Sequence, residues 1–279
     1  MSRSTSRRKS DAFVLCVLPL GLRAGARAER IVRARALAGP EELRLLEIRW
    51  ESPRETLLSQ ALACHVARLG SIAEPGPAVL HRLALADRHA LVRELLLASG
   101  VADLLVPAAC AACGAKLELA FDLKAAKPPD RLGEPLRLSR RRNALTERLV
   151  LRLPRPADME AAHSPAELAA MCAGISPRDA KSWLRAAENS MAMADPLGQI
   201  EIHGTCPGRG CEVLAPLDLV AEWLRRVRHR TTRLLQDVHH LALHYHWSEE
   251  QILLLPDTRR QAYLDLCFAA PQPVEELHA

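Results

Sequence analysis

The pattern of apolar and polar positions divides the chain into strand-like and helix-like stretches. The first apolar run reads AFVLCVLPLGL, and the segment RAERIVRARAL follows Gly25. Two such runs on either side of a glycine-containing turn are typical of a β-hairpin. A short helix is expected next, beginning beside Pro40, because Glu41 and Glu42 would lie in its first turn. The N-terminal part therefore predicts a hairpin followed by a helix.

Helical spacing continues from residue 52 to residue 100. Ser52 stands as the N-cap of a helix with apolar residues on one face, and Gly70 is expected to end it. The next apolar stretch predicts one or two further helices that stop at Gly100, with Asp87 as an internal cap. This region is therefore expected to be helical.

Strand-like alternation returns in three places further along. The runs read AKLELAFDL, ERLVLRLP and GQIEIHGTCPGRGCEVLAPLDL. Residues 124–142 hold three prolines and seven basic residues, which predicts a linker or an exposed loop. Two helices capped by Ser164 and Ser176 precede the last run. Strands and helices therefore mix along the chain, as in an α+β protein.

The longest helical pattern begins near Pro216 and continues to about His246. Its apolar residues recur at three- and four-residue intervals, as in the seam of a coiled coil, and such a seam can bind a partner. The residues predicted to bind a partner are Trp223, Val227, Leu234, Val238, Leu241, Tyr245 and, in the corner after the helix, Trp247. A short helix capped by Ser248 and a last amphipathic helix complete the tail.

Two close cysteine pairs interrupt the strand-like runs. Cys110 and Cys113 are separated by two residues, a spacing at which two thiolates bind one tetrahedral ion. Cys206 and Cys211 are separated by four residues, and Arg209 stands where a regular pair would have its second cysteine. The pattern predicts one structural zinc ion held by all four cysteines. Four thiolates leave no open position for water, so a catalytic zinc is not expected.

Two other states of these cysteines stay open: local turns with unligated thiols, and a disulfide. The two pairs are separated by 92 residues, and closing a loop of that length costs about 4 kcal/mol of chain entropy. A structural zinc ion contributes roughly 10–16 kcal/mol in small domains, so the metal can hold the two halves together. The other four cysteines lie singly in apolar or helical surroundings, as free thiols do in a reducing compartment.

Positive charge is concentrated at the N-terminal end. Residues 1–35 contain nine Arg and Lys against Asp11 and Glu29, whereas the whole chain has a net charge of +5. Such an arm is either a solvated tail or a surface for nucleic acid or an acidic partner. The same end imitates an export signal, but Arg23 and Arg27 interrupt the cleavage region, so we expect a cytoplasmic protein. No apolar run reaches the ~18 residues that span a bilayer.

The sequence contains no motif of an enzyme. It has no glycine-rich phosphate loop, nucleophile elbow or dinucleotide fingerprint, so we expect neither catalysis nor a small-molecule substrate. His240 and His244 stand one helical turn apart, but no Glu accompanies them as in H-E-x-x-H, and packing is the preferred interpretation. The main alternative is a zinc ribbon that binds nucleic acid, because Arg226, Arg230 and Arg233 share one face of the long helix.

A more specific signal lies in the C-terminal segment. Tyr245 to Leu264 reads YHWSEEQILLLPDTRRQAYL. This run resembles the C-terminal signature of the T-even phage baseplate hub assembly chaperone family, which also occurs in contractile injection systems. Members typically show a long helix and then Y-x-W-S-x-x-E-I-L-x-L-P-x-x-R-R-x-x-Y-L. Gln251 stands where acidic residues are common in that run.

The resemblance extends upstream over about three quarters of the chain. The family's helical segment, which leads into its first cysteine pair, is similar to LALADRHALVRELLLASGVADLLVPAACAACGAKLELAFDL. The family's strand followed by R-L-P-x-x-x-D is similar to LRLPRPAD, which ends at Asp158. The opening of the family is similar to the hairpin and VRARALAGPEE. The displaced second cysteine pair is the largest departure from the family pattern.

The resemblance implies a non-enzymatic component or assembly factor of the baseplate or hub of a contractile tail. Its partners would be other baseplate, hub or spike proteins, and it would stay in the cytoplasm or be incorporated in the assembled particle. The expected fold is α+β, with a mainly helical body and a discontinuous zinc-ribbon-like element. The predicted segments are 1–109 for the hairpin and first helices, 110–123 and 200–219 for the zinc-ribbon-like halves, 124–199 for an inserted linker, strand and helices, and 216–279 for the long helix and helical tail.

Overall fold

The structure is a computed structural model that mixes helices with small antiparallel sheets. It describes residues 13–24, 27–35, 37, 39–133, 135–142 and 145–268. Within these residues the fold is α+β, as the sequence predicts, and no helix is both long and apolar enough to cross a membrane. Two compact units are present, each described separately below. The first comprises the described residues up to 35 together with Arg49–Leu224, and the second comprises Leu37–Ile48 and the described residues from Arg225 onwards.

The first unit begins with a four-stranded antiparallel sheet in the order β1-β2-β3-β4. Its strands are Phe13–Ala24 (β1), Arg27–Arg35 (β2), Val66–Leu69 (β3) and Ile72–Ala73 (β4). The first two strands form the predicted hairpin, whose turn at Gly25 lies outside the described residues. The prediction of a helix capped by Ser52 and ending at Gly70 is wrong at both ends, because Pro53 is the N-cap residue and residues 66–69 form β3. Helix Arg54–His65 (α1) ends early because the next residues pair with β2, which buries Val66 and Leu69 completely.

The middle of β1 is irregular, because a bulge after Val17 interrupts its pairing with β2. Gly21 has φ +82°, and a Cβ at this position would lie 2.5 Å from a carbonyl oxygen of the facing strand. The backbone N–H groups of Leu20 and Gly21 donate to the carboxylate of Asp87 at 2.7 and 2.9 Å. Asp87 is fully buried inside helix Leu85–Ala98 (α3). It therefore holds the bulge and does not cap a helix as predicted.

The rest of the first unit consists of three hairpins and five short helices in the part of the chain that the structure describes. The hairpins are Asp103–Ala109 (β5) with Lys116–Asp122 (β6), Leu136–Arg142 (β7) with Leu145–Leu151 (β8), and Ile200–Thr205 (β9) with Glu212–Leu217 (β10). The helices are Pro77–Leu80 (α2), Pro156–Ala161 (α4), Pro165–Ala173 (α5), Pro177–Lys181 (α6) and Leu184–Ala194 (α7). Ser164 and Ser176 cap α5 and α6 as predicted.

The second half of the expected linker at residues 124–142 is a strand, β7. Alternate residues Leu136 and Leu138 pack against the apolar cluster that β8 forms with α5, α6 and Trp183. Burial of these leucines explains the strand, because the leucines alternate with exposed Arg137 and Ser139 along β7 as the pleat requires. The many basic residues of the segment hid this short alternation.

The second unit is helical within its described residues. It contains a 3-10 helix, Gly39–Glu47, and the long helix Leu219–Tyr245 (α8) from Arg225 onwards, followed by Glu249–Leu253 (α9) and Asp257–Phe268 (α10). The expected long helix to about His246 and its tail are confirmed. The side chain of Ser248 caps α9, and the side-chain oxygen of Gln251 accepts a hydrogen bond from the backbone N–H of Ser248. Leu241, Ile252 and Leu264 form the core between α8 and the tail.

A buried carboxylate joins three segments of this second unit. Glu42, on the 3-10 helix, is 2% exposed. One of its oxygens accepts from Arg230 on α8 at 2.5 and 3.1 Å, and the other accepts from Arg260 on α10 at 2.7 Å. Arg260 is also buried and makes a second ion pair with Asp257, whereas Arg230 is partly exposed. Because Glu42 is far from both arginines in sequence, this contact fixes the N-terminal segment against the tail.

We expect Glu42→Gln to lower the free energy of unfolding by about 3 kcal/mol, the lower end of the range for breaking a buried ion pair. The loss should stay at the lower end of that range, because Arg260 keeps its ion pair with Asp257 and the Arg230 guanidinium is partly exposed to solvent. Urea denaturation followed by circular dichroism measures the change. Glu47→Gln, on the same helix but exposed, is the matched control and should change little. Equal stability of the two variants would contradict the assigned role of Glu42.

Candidate metal centre

Each cysteine pair lies in a six-residue loop between two paired strands. Cys110 begins the loop between β5 and β6, and Cys206 begins the loop between β9 and β10. In both loops the fifth residue is a glycine whose N–H donates to the carbonyl of the first residue at 2.8 Å. In both, the N–H of the first residue donates to the carbonyl of the sixth at 2.9 Å. The two glycines, Gly114 and Gly210, have φ values of +70° and +68°. The two loops therefore form the same turn.

The equivalence extends along both hairpins when Cys110 is aligned with Cys206. Inward-facing Leu104 and Val106 on β5 correspond to inward-facing Ile200 and Ile202 on β9. Every aligned pair of loop residues has the same burial class, and both hairpins end in Asp-Leu. The shared glycine and the shared ending are visible in the sequence. The common turn could not be deduced from it, because only the first loop has the regular cysteine spacing.

The sulfur atoms of the two loops come together. Cys110 Sγ lies 3.3 Å from Cys211 Sγ, and Cys113 Sγ lies 3.6 Å from Cys206 Sγ. The ligand atoms of Cys110, Cys113 and Cys206 all lie within 4.8 Å of one another. All eight cysteines of the chain lie among the described residues, and all are free thiols. The four cysteines predicted as ligands therefore form one cluster that is compatible with a metal site.

Cys211 reaches the cluster from an unexpected position. When the two loops are aligned, Cys211 corresponds to Ala115, the first residue after the glycine, and Arg209 corresponds to Cys113. The second loop thus supplies its second sulfur from two residues further along, where the chain enters β10. The turn itself is unchanged. Two cysteines separated by four residues in the second loop therefore direct their thiols to the same cluster as two cysteines separated by two residues in the first loop.

Hydrogen bonding between the thiols sets their protonation when no metal is bound. A hydrogen bond joins the two thiols and lowers the pKa of Cys110 to about 6, assisted by the backbone N–H of Ala112. The same hydrogen bond raises the pKa of Cys211 to about 11. The two thiols therefore share a proton, which Cys211 holds more strongly than Cys110. A metal ion must displace that proton to bind all four sulfurs.

Packing of the two hairpins brings the loops together. Cys110, Cys206 and Val213 form a small buried cluster, against which Ala115 and Leu117 pack. A Cβ placed on Gly204 would lie 2.3 Å from the side chain of Leu119, so the absence of a side chain at residue 204 lets β9 approach β6 closely. Packing of these residues therefore contributes to the close approach of the two hairpins.

The seam residues predicted to bind a partner face inward in this structure. Trp223, Val227, Leu234 and Leu241 are buried, and Val238, Tyr245 and Trp247 are partly buried. Tyr245 stacks on Trp247 with ring centroids 4.7 Å apart, and Tyr263 contacts both rings edge-on. Around Leu241 the seam is an interface within the chain, because Ile252 and Leu264 of the tail pack against it. Among its described residues, the second unit leaves these large apolar side chains exposed: Leu235, Leu243, Leu254, Leu266 and Phe268.

The basic face expected on α8 is largely engaged within the protein. Arg230 pairs with Glu42, and Arg233 donates to the side chain of Gln261. Arg226 also has an interaction within the structure. His240 contacts the ring of Phe268 edge-on, with centroids 5.0 Å apart, which agrees with a packing role for this histidine. These contacts leave less of the arginine face available to nucleic acid than the sequence suggests.

No protein-family model, curated protein or solved structure matches this chain. The arrangement of the cysteines and the packing of the C-terminal tail are therefore the observations on which a function has to be argued.

We expect the purified protein to bind one divalent metal ion per chain, and Cys211→Ser to lose it or to bind it much more weakly. Three thiolates hold a tetrahedral ion less well than four. Titration with Co²⁺ followed by its absorption spectrum distinguishes four-sulfur from three-sulfur coordination. Cys267→Ser, which alters a cysteine of the second unit, should retain the full signal. Retention by Cys211→Ser as well would show that Cys211 is not a ligand.

The equivalence of the two turns generates a sharper test. Position 209 corresponds to position 113, so Arg209→Cys should restore metal binding to a Cys211→Ala protein by placing the sulfur on the regular side of the turn. The metal content and the Co²⁺ spectrum of the double variant should return to those of the unmodified chain. A double variant that stays metal-free would contradict the equivalence of the two loops.

Proposed function

We propose that the four cysteines hold one structural zinc ion. A tetrahedral ion at the zinc–thiolate distance of about 2.3 Å places its sulfurs about 3.8 Å apart, and the 3.3 and 3.6 Å separations in the cluster are close to that. Soft thiolate ligands favour zinc over Mg²⁺ and Ca²⁺, which prefer oxygen. Elemental analysis of protein purified without added metal is expected to find zinc.

We propose further that the protein is a non-enzymatic component or assembly factor of the baseplate or hub of a contractile tail or injection system. The proposal rests on the resemblance of Tyr245 to Leu264 to the family signature. The observation that carries it is that the signature residues lie at the corner, the helix cap and the buried ion pair that hold the helical tail together. Tyr245, Trp247 and Tyr263 pack on one another, and Ser248 caps α9. Arg260, in the R-R pair, binds Glu42.

These roles give a physical reason for the residue types in the signature. The aromatic residues fill the corner where the chain leaves α8, the serine starts the next helix, and the second arginine neutralises a buried carboxylate. These residues hold the tail together from the inside and leave its outer face for contact with a partner. This arrangement agrees with an assembly protein, whose tail presents a surface for binding another protein and catalyses no reaction.

The outward row of α8 is the surface that we propose for partner binding. Leu235, His239 and Leu243 recur every four residues and therefore lie along one side of the helix, and all three are exposed. Leu254 on the tail is 65% exposed. This surface replaces the inward-facing seam that the sequence suggested. The partner would be another baseplate, hub or spike protein with a complementary apolar groove.

The free thiols favour the cytoplasm as the place of assembly. Cysteines that lie close enough to oxidise, as in this cluster, stay reduced in a reducing compartment or when a metal binds them. The cytoplasmic location and the later incorporation in a particle are part of the same proposal.

We expect co-expression with spike, hub and wedge proteins of a contractile tail to give a stable subcomplex that co-purifies. The double variant Leu243→Asp/Leu254→Asp should lose the subcomplex, since each change puts a charge on the proposed surface. Leu214→Asp alters an equally exposed leucine of the first unit and is the control. Circular dichroism of each variant checks that the fold is retained.

Two results would count against this function. One is an intact subcomplex in the double variant, which would move the interface elsewhere. The other is the absence of any subcomplex together with tight, salt-sensitive binding to DNA or RNA, which favours the nucleic-acid alternative.

A further inference from the structure

A small cavity lies where the β1 bulge meets the segment between β6 and β7. The bulge lifts residues 18–21 out of the ladder, and two contacts fix the neighbouring segment against it. The N–H of Leu132 donates to the carbonyl of Pro19 at 3.0 Å, and Arg30 donates to the carbonyl of Asp130. The resulting cavity has a volume of about 280 Å³. Its floor is apolar, because Leu20 and Leu132 pack there against Ala84.

Five arginines line this cavity. They come from five separate places in the first unit: β1, β2, the turn before α3, the segment between β6 and β7, and the residue before α4. In that order they are Arg23, Arg30, Arg82, Arg131 and Arg155. None of the other described residues that line the cavity is acidic. Five like charges around so small a space repel one another unless an anion neutralises them.

None of the five arginines makes an ion pair with a carboxylate of the described residues, although Asp158 is close enough to Arg155 for a Coulombic attraction. Arg30 is held by two backbone carbonyls, of Leu18 and Asp130, which carry no net charge. Arg23, Arg82, Arg131 and Arg155 form no ion pair with a described residue. The Nε of Arg155 is buried without a hydrogen-bond partner among the described residues. Nearby Asp158 is engaged by Arg152, and Asp87 accepts from the bulge backbone. Donors therefore remain available to a ligand.

We propose that this cavity binds a compact phosphate-bearing anion, such as a phosphate or pyrophosphate group of a small ligand. Guanidinium groups bind phosphate oxygens through paired hydrogen bonds, and several of them can share one diphosphate. The volume lies just below the ~300–1,000 Å³ of pockets for drug-sized ligands, so a compact anion fits better than a large one. This site is independent of the metal cluster, and the sequence, which predicts no small-molecule substrate, gave no indication of it.

Isothermal titration of the full-length protein with pyrophosphate at low salt tests the proposal. We expect saturable binding of one pyrophosphate per chain, weakened by added salt. The double variant Arg82→Gln/Arg131→Gln should bind at least about tenfold more weakly, because each lost charged hydrogen bond contributes roughly 1.5 kcal/mol or more. Both arginines are exposed and unpaired with described residues, so the variant should fold. Arg178→Gln removes an exposed arginine outside the cavity and is the control.

Chelation of the bound metal by pyrophosphate would produce the same heat in all three proteins, so only a difference between the variants supports the site. Absence of saturable binding, or equal affinity in the double variant and the control, overturns the proposal. A competition experiment identifies the ligand class. A 5′-phosphorylated nucleotide should displace pyrophosphate, whereas an oligonucleotide without a terminal phosphate should not. Displacement by such an oligonucleotide that strengthens with its length would overturn the compact-ligand proposal in favour of a nucleic-acid surface.

Discussion

The meeting of two hairpin loops, whose cysteine pairs are separated by 92 residues, is the constraint on which the first unit depends. The segment that includes β7, β8 and the helices from α4 to α7 lies between these loops in the chain. Contact between the two loops in the cysteine cluster therefore brings the two ends of this segment together. The closure does not depend on sulfur chemistry alone. The close contact at Gly204 and the burial of Val213 draw the hairpins together, and an ion held by the cysteine cluster would add its coordination energy to this packing.

The second unit is joined in a different way. A carboxylate buried between two arginines connects the 3-10 helix to α8 and α10, and an aromatic corner folds the tail back. Buried ion pairs add little net stability compared with apolar contacts, but they tolerate few alternative arrangements. Glu42 thus contributes mainly to which helix faces meet, while Leu241, Ile252 and Leu264 supply most of the apolar burial.

Local sequence signals predicted the local structure well. The N-terminal hairpin, the caps at Ser164, Ser176 and Ser248, the long helix and all four clustered cysteines follow from spacing and residue type. The errors concern contacts between distant residues. Val66 joins a sheet because β2 is beside it, and Asp87 serves a bulge 66 residues away in sequence. The tail packs on α8 around Leu241, and periodicity along one helix does not show which of its apolar residues such a contact buries.

The common turn of the two cysteine loops shows that backbone geometry and ligand position can change separately. The glycine and the pair of backbone hydrogen bonds maintain the turn, and a sulfur can enter the cluster either from the fourth residue of the loop or from its sixth residue, just before the following strand. An exchange of the two positions in the course of evolution would need only two side-chain replacements and no rebuilding of the chain. Half-sites with irregular cysteine spacing can therefore belong to the same structural class as regular ones, and comparison of their turns will recognise them where a spacing rule does not.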